Sequence, residues 1–240
     1  MEIQIAVAKV NKYAVSESGD TLEVVERPGG GISVVLADGQ SSGRGAKAVS
    51  MMVVRRVISL LAEGVRDGAA ARAASDYLFT ERNGKVSSTL NILSVDLSSE
   101  TVVLTRNNEV PMYVARGETI ERIEEVSKSI GTARNIKPLI TEIPIQPGLT
   151  IVIYTDGLVH AGERRGTPMD VGTTLRGLLE DSEPSPQVVA DALLAQAMQL
   201  DEHRPADDIS VVVMRVMPRN GDDVRRMAVR LPITVKNNGC

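Results

Sequence analysis

Four aspartates of the chain could together carry out phosphate chemistry: Asp20, Asp38, Asp156 and Asp207. Each one sits at the end of a predicted strand or in a turn. Hard divalent cations such as Mg²⁺ and Mn²⁺ prefer carboxylate, carbonyl and water oxygens as ligands. Two such ions about 3.5–4 Å apart can hold a phosphate and acidify a water molecule, so no nucleophilic side chain is needed. We therefore predict a two-metal site centred on Asp38.

The stretch around Asp38 has a design that occurs twice in the chain. An apolar run at residues 32–37 leads into Asp38-Gly39, and a second run at residues 149–154 leads into Thr155-Asp156-Gly157. Glycine at such a position tolerates backbone angles that expose a carbonyl oxygen to a ligand. A single Asp-Gly pair is more often a turn than a metal site. The prediction therefore depends on the joint pattern.

Composition places the chain among ordinary globular proteins. It has 240 residues, of which 42% are apolar, 24% charged and only 2% aromatic, so the core must be aliphatic. The net charge of −4 argues against non-specific binding of nucleic acid. The single cysteine, Cys240, excludes an internal disulfide and fits a reducing compartment.

No segment of the sequence is typical of a membrane protein. The first ten residues lack the basic segment and apolar run of a signal peptide. The longest apolar region, residues 49–62, is interrupted by Arg55 and Arg56 and is too short to span a bilayer. We expect a cytoplasmic protein with neither a membrane nor a nucleic acid as its partner.

The order of predicted elements favours antiparallel sheets with helices packed outside them. Helices are predicted at residues 46–63, 67–82, 173–181 and 187–200. Short turns between successive strands predict hairpins, including a meander of the first three strands. Residues 124–138 show no period and are predicted as loop. The predicted strands are 3–15, 22–25, 32–37, 89–97, 101–106, 111–115, 119–123, 141–145, 149–154 and 209–216.

The aspartates lie in four short motifs whose order and spacing resemble the metal-dependent type 2C protein phosphatases. The motifs are G-D at 19–20, A-D-G-Q-S-S-G at 37–43, Y-T-D-G at 154–157 and D-D-I-S-V-V-V at 207–213. The resemblance covers residues 4–216 and points to the bacterial branch typified by the sporulation stage II E phosphatase. In its length, the chain resembles the stand-alone feedback phosphatase of the stressosome pathway.

This resemblance implies an α+β fold, namely an αββα sandwich of two antiparallel sheets packed face to face with helices on the outer faces. We expect residues 1–217 to form the phosphatase domain. Residues 218–240 would then be a C-terminal extension that could add an edge strand, with Pro232 confining it to an edge.

The resemblance also implies a role for each motif residue, with two Mn²⁺ or Mg²⁺ ions as cofactors. Asp38 would bridge both ions, and the carbonyl of Gly39 would bind one of them. Asp20 would hold metal at one end of the site and, with Asp38, take part in catalysis. The second ion would be bound by Asp156 and Asp207, and Asp208 would have a supporting role.

The reaction implied is hydrolysis of phosphoserine or phosphothreonine on a protein by a metal-activated water, without a phospho-enzyme. Relatives of this kind act on phosphorylated anti-sigma-factor antagonists or stressosome proteins, which makes a phosphorylated regulatory protein the expected partner. The sequence leaves the oligomeric state open.

Two departures from the family pattern keep an alternative open. Gln40 and Ser41 replace an apolar residue and a glycine, and residues 106–109 read R-N-N-E in place of an Asn-Ala-Gly-like stretch. A non-catalytic, phosphatase-like scaffold is therefore the second hypothesis. A third, nucleotide binding at the G-x-G-x-x-A match of residues 43–48, is weak because the loop before it is long and a second helix follows. Arg44 and Lys47 are candidate phosphate clamps, although solvated charges are the simpler interpretation.

Overall fold

Two five-stranded antiparallel sheets form the centre of the molecule. This computed structural model describes residues 1–180, 183–219 and 221–232. The strands, in chain order, are β1 (Glu2–Val10), β2 (Asp20–Glu26), β3 (Ile32–Asp38), β4 (Leu90–Asp96), β5 (Thr101–Asn107), β6 (Met112–Arg116), β7 (Thr119–Ile123), β8 (Leu139–Pro144), β9 (Thr150–Tyr154) and β10 (Ile209–Met217). The first sheet has the order β1-β10-β9-β6-β7, and the second has the order β2-β3-β4-β5-β8.

Helices cover the outer face of each sheet. The described residues form α1 (Gly43–Ala62), α2 (Asp67–Arg82), α3 (Asp156–His160), α4 (Val171–Leu179) and α5 (Pro186–Leu200). Helices α1 and α2 pack on the second sheet, while α3, α4 and α5 pack on the first. Helix α5 begins at Pro186, one residue before the predicted start, and the Ser185 hydroxyl caps it by accepting a hydrogen bond from the Val188 N–H.

Apolar side chains fill three layers that alternate with the backbone layers. The alternation along β3 shows how: Val34 and Leu36 face the first sheet, whereas Val35 and Ala37 face α1 and α2. Successive side chains of a strand point to opposite faces, so a strand buried on both sides is apolar throughout. The predicted αββα sandwich is confirmed.

The predicted meander of the first three strands is wrong. Strand β1 pairs with β10 in the first sheet, and β2 pairs with β3 in the second. The successive strands β8 and β9 also lie in different sheets. A period of two identifies a strand and its faces but not its partner. As a consequence, the links between sheets bring the strand ends of both sheets to one edge of the sandwich.

Three further regions can be compared with the sequence predictions. Residues 156–160, which lie outside the predicted helices and strands, form α3, whereas residues 124–138 are a loop as predicted, with one bridge between Ile130 and Ser88. The edge strand suggested by the sequence would run over residues 224–235, but residues 224–232 contain no strand, so this part of the prediction is wrong; residues 233–235 lie outside the described residues. Instead, Arg225 bonds to the Glu26 carboxylate and the Gly30 carbonyl at 2.9 and 2.8 Å. No helix in the described ranges is long and apolar enough to cross a membrane.

Candidate metal centre

The predicted metal ligands meet where strand ends of the two sheets face each other. Asp20 and Asp38 are direct neighbours in the pairing of β2 with β3. Asp156 follows β9 and Asp207 precedes β10, both in the other sheet. A cleft of about 370 Å³, which we call the acidic cleft, is lined by Asp38, Asp156 and Asp207. The fold thus places three of the four predicted aspartates around one cavity.

Asp20 lies behind this cleft and is completely buried. Its Oδ2 accepts hydrogen bonds from the hydroxyls of Ser210 at 2.6 Å and Thr155 at 3.0 Å. Its Oδ1 is buried and has no hydrogen-bond partner among the described residues. Leaving a buried carboxylate oxygen without a partner is costly. A cation beside Oδ1 would remove that cost, so Asp20 fits a metal-binding role.

Two lysines support Asp20 from its backbone side. The Lys9 ammonium donates to the Asp20 carbonyl at 2.6 Å, and the Lys47 ammonium donates to the same oxygen at 2.9 Å. Lys47 also donates to the Thr21 hydroxyl at 2.9 Å. Burial lowers the pKa of Lys9, against the opposing effect of the Asp20 carboxylate. The sequence suggested that Lys47 is either a phosphate clamp or a solvated charge. Both interpretations are wrong, because the Lys47 ammonium is part of the support for Asp20.

The glycines of the two Asp-Gly pairs are required by close packing rather than by a hairpin turn. A Cβ on Gly39 would lie 2.1 Å from the Ala46 carbonyl oxygen at the start of α1. A Cβ on Gly157 would lie 2.1 Å from the Asp208 carbonyl oxygen. Only glycine allows these backbones to approach so closely. Each glycine therefore fixes the position of the aspartate that precedes it.

The carboxylates repel one another strongly. Burial, followed by the charges of Asp20 and Asp156, raises the pKa of Asp38 to about 9. Burial and the nearby Asp207 also raise the pKa of Asp156, and His160, whose Nδ1 lies 4.0 Å from the Asp156 carboxylate, acts in the opposite direction. A divalent cation in the cleft would relieve this repulsion.

The side chains alone do not enclose an ion. In the described part of the chain, no three Asp, Glu, His or Cys side chains are arranged as a ready-made metal site. Ions bound here would thus also need carbonyl and water oxygens, which Mg²⁺ and Mn²⁺ commonly take. Gly39, whose carbonyl the family resemblance implies as a ligand, lines the same cleft. The donor set is accordingly all oxygen, as these hard cations prefer.

Asp208 holds the backbone around the site. One of its carboxylate oxygens accepts from the Lys12 N–H at 2.9 Å, and the other accepts from the Gly19 N–H at 2.8 Å. Both bonds tie the link between β1 and β2 to the start of β10. Asp208 is buried and does not line the acidic cleft.

The segments that depart from the family pattern have structural contacts of their own. The Gln40 side chain accepts from the Ser87 N–H at 3.0 Å, which anchors the loop after Asp38. The Asn107 side chain donates to the Ser127 hydroxyl at 3.2 Å and to the Lys137 carbonyl at 3.3 Å. This amide holds the loop of residues 124–138 in place. None of residues 106–109 lines the acidic cleft.

Sequence reasoning missed the side chains that support Asp20. Thr155 and Ser210 each lie inside a quoted motif, next to Asp156 and three residues after Asp207, so their hydroxyls could have been considered. Nothing in the sequence marks Lys9, because it is one lysine at the end of an ordinary strand.

The family to which the chain is similar was found by comparison with protein-family models. The family described as Stage II sporulation protein E (SpoIIE) matches residues 28–217. A protein named Stage II sporulation protein E from Priestia megaterium is 21% identical over 215 residues, which are 89% of this chain and 36% of that protein. The chain therefore spans about a third of the length of this relative.

Solved structures show the same fold. The PP2C phosphatase domain of SpoIIE from Bacillus subtilis, solved with a fragment of its regulatory domain, superposes with a TM-score of 0.79 at 18% identity. The match covers 92% of this chain and 64% of that one. The catalytic domain of the serine/threonine phosphatase PstP, solved with two manganese ions, gives a TM-score of 0.70 at 16% identity, covering 90% and 99% of the two chains.

Proposed function

Because the chain belongs to the stage II sporulation protein E family, we propose that it is a metal-dependent protein serine/threonine phosphatase. The observation that carries the proposal is the meeting of Asp38, Asp156 and Asp207 in one cleft, with the unpartnered Oδ1 of Asp20 buried behind it. Burial and the charges of Asp20 and Asp156 raise the pKa of Asp38, so these carboxylates disfavour one another's ionised form. Their mutual repulsion makes the site costly unless cations are bound.

Two divalent cations, Mn²⁺ or Mg²⁺, are the proposed cofactors, and the two manganese ions of the PstP domain support that number. Asp38 would contact both ions, and the Gly39 carbonyl would contact one of them. Asp20 would hold metal at one end of the site, and Asp156 and Asp207 would bind the second ion. When bound, such ions neutralise phosphoryl charge and acidify a water molecule. We propose these ligand assignments from the geometry and the motifs together.

The residues of the chain supply position and polarity. Ser210 and Thr155 fix the Asp20 carboxylate, and Asp208 fixes the backbone on both sides of it. Hydroxyl groups line much of the acidic cleft and can donate hydrogen bonds to phosphoryl oxygens. These hydroxyls belong to Ser41, Ser42, Ser87, Thr89 and Ser129, whereas the Ser88 hydroxyl already donates to the Asp38 carbonyl at 2.7 Å. Among the described residues, those that line the cleft include neither His nor Cys.

We propose that the substrate is a phosphorylated regulatory protein of the anti-sigma-factor-antagonist or stressosome type, dephosphorylated in the cytoplasm. A solved structure of RsbU and RsbW domains from Mycobacterium tuberculosis matches with a TM-score of 0.71 at 18% identity, and these domains support a role in such a system. Residues 1–217 are the proposed catalytic domain, and the match to residues 28–217 falls inside it.

Hydrolysis of p-nitrophenyl phosphate tests the proposal. The wild-type chain with saturating Mn²⁺ should release phosphate, EDTA should abolish the release, and Asp38→Asn should reduce it by about 10³-fold or more, since such a loss is typical of a removed catalytic group. Release that is no faster than in Asp38→Asn would instead favour the non-catalytic scaffold.

A further inference from the structure

A second cleft lies beside the acidic cleft and shares Lys12 with it. This cavity of about 470 Å³, which we call the basic cleft, is lined by Lys12, Tyr13, Arg164, Arg165, Asp201, Arg204, Pro205 and Ala206. Ala206 directly precedes Asp207, which lines the acidic cleft. The two clefts are therefore neighbours on one face of the molecule.

The basic cleft carries an excess of positive charge in a chain whose net charge is −4. Its lining has four cationic side chains and one carboxylate, that of Asp201. Both carboxylate oxygens of Asp201 are engaged by backbone groups, the Gly162 N–H and the Ala206 N–H, each at 2.9 Å. Asp201 thus shapes the wall of the cleft and pairs with none of the cations.

Two of the four cations, Arg164 and Arg204, have no carboxylate partner among the described residues, whereas the Lys12 ammonium lies 3.8 Å from the Asp207 carboxylate. Arg164 is exposed and forms no ion pair or hydrogen bond with any described side chain, whereas Arg165 pairs with Glu202. Arg204 lies over the Tyr13 ring, 5.4 Å from its centroid. Scattered surface charges of this kind are usually just solvated. Here they line a concave surface, where charges of one sign concentrate the field.

The walls of the basic cleft are preorganised. The Tyr13 N–H donates to the Pro205 carbonyl at 2.9 Å, which joins the link after β1 to the turn before β10. Glu202 and His203 have left-handed backbone angles, with φ of 49° and 60°. Asp201 holds this turn through its two backbone bonds. A ligand would bind without first ordering this part of the chain.

We propose that the basic cleft binds acidic residues that flank the phosphorylated side chain of the protein substrate. The proposal rests on the proposed function, because it takes the phosphoryl group to bind in the acidic cleft. Lys12 lines both cavities, so a substrate chain leaving the first enters the second within roughly three residues at about 3.5 Å each. Positive charge there would select substrates with Asp or Glu at those positions.

Peptide binding tests the proposal without requiring turnover. We would measure the fluorescence anisotropy of two pairs of phosphoserine peptides. In each pair one peptide has three Glu residues and the other has three Gln residues, placed before the phosphoserine in the first pair and after it in the second. The full-length wild-type chain with Mn²⁺ would serve as receptor, and each peptide would carry the non-hydrolysable phosphonate analogue of phosphoserine so that no peptide is hydrolysed. Adding Arg164→Glu should weaken binding of one Glu peptide about tenfold and of its Gln counterpart less than twofold. The difference should shrink in 0.5 M salt, because the Debye length there is only about 4 Å.

Matched variants give the controls. Arg72 is an exposed arginine on α2, which covers the second sheet. Arg72→Glu changes the net charge by the same amount as Arg164→Glu and should leave the binding of the Glu and Gln peptides unchanged. Arg204→Gln provides a second, milder change within the basic cleft and should weaken the Glu peptide in the same sense. Thermal denaturation would show that each variant is folded.

Three outcomes would overturn the proposal: equal loss for Glu and Gln peptides, no loss in Arg164→Glu, or the same loss in Arg72→Glu. Phosphatidylserine vesicles test the other anionic surface of interest. If Arg164→Glu abolished vesicle binding and left the Glu peptide unchanged, the basic cleft would be a membrane contact and the proposal wrong. A chain that binds Glu peptides as expected but never releases phosphate would refute the proposed function alone.

Discussion

The Asp38→Asn substitution should change the stability of the metal-free and metal-bound chain in opposite directions. In the folded chain, burial and the charges of Asp20 and Asp156 raise the pKa of Asp38 from the ordinary 3.8 to about 9. At pH 7 the metal-free fold must therefore hold a proton on this carboxyl, whereas the unfolded chain releases it. Asparagine removes the free-energy cost of protonating this side chain on folding in the absence of metal. It also removes the carboxylate that is proposed to bind both ions.

The pKa shift gives the size of the effect. Stability linked to a raised pKa is fully present below about pH 4 and is lost as the pH rises towards about 9. From an ordinary pKa of 3.8 to pH 7, the cost reaches about 4 kcal/mol at most. Water and counterions enter the acidic cleft and reduce this to about 2 kcal/mol. For a domain of this size, that is an increase of roughly 4–8 °C in Tm for metal-free Asp38→Asn.

Thermal denaturation at pH 7.5, with EDTA or with saturating Mn²⁺, measures both directions. Mn²⁺ should raise the Tm of the wild-type chain, because a ligand that binds only the folded state stabilises it. It should leave Asp38→Asn nearly unchanged. Asp191→Asn, on the exposed face of α5, is the control and should behave as wild type. A lower Tm for Asp38→Asn in EDTA, or an undiminished response to Mn²⁺, would refute the reasoning.

Three other predictions concern packing, support and pH. Gly39→Ala places a methyl 2.1 Å from the Ala46 carbonyl oxygen and should lower the free energy of unfolding by several kcal/mol. Gly45→Ala, whose methyl would have nothing within 4 Å, should raise the free energy of unfolding by up to about 1 kcal/mol. Urea denaturation compares the two variants. Ser210→Ala removes a 2.6 Å bond to the buried Asp20 carboxylate and should cost about 1–3 kcal/mol in urea without changing the m-value. Between pH 5 and 9 the Tm in EDTA should fall, because the raised pKa values of the acidic-cleft carboxyls penalise their ionisation, and a flat profile would contradict that cause.

The aspartates were predictable from sequence because each belongs to a short local pattern. The strand–Asp–Gly design at residues 37–39 and 154–157 requires only neighbouring residues, and it carries its own reason, since each glycine meets another backbone. The order of elements predicted antiparallel sheets with helices outside them, whereas the sandwich of two facing sheets was implied by the family resemblance. Sheets with helices outside them follow once helical and strand periods are separated.

Long-range pairing and side-chain support were not predictable in this way. The assignment of β1 and β2 to different sheets depends on which strand lies beside each, and alternation contains no such information. Lys9 contributes through a single bond to the Asp20 carbonyl, which leaves no mark in the sequence. The basic cleft combines Lys12, Arg164 and Arg204, which are far apart in the chain and meet only in the folded structure.

Joint titration of metal content and phosphate release tests the central claim most directly. We would add Mn²⁺ to the metal-free wild-type chain, count bound ions by calorimetry, and follow phosphate release from a phosphoserine peptide in the same solutions. The account predicts two bound ions per chain and release that rises with the second ion, both lost in Asp38→Asn. Full release in excess EDTA, or two bound ions with no release above the Asp38→Asn chain, would contradict it.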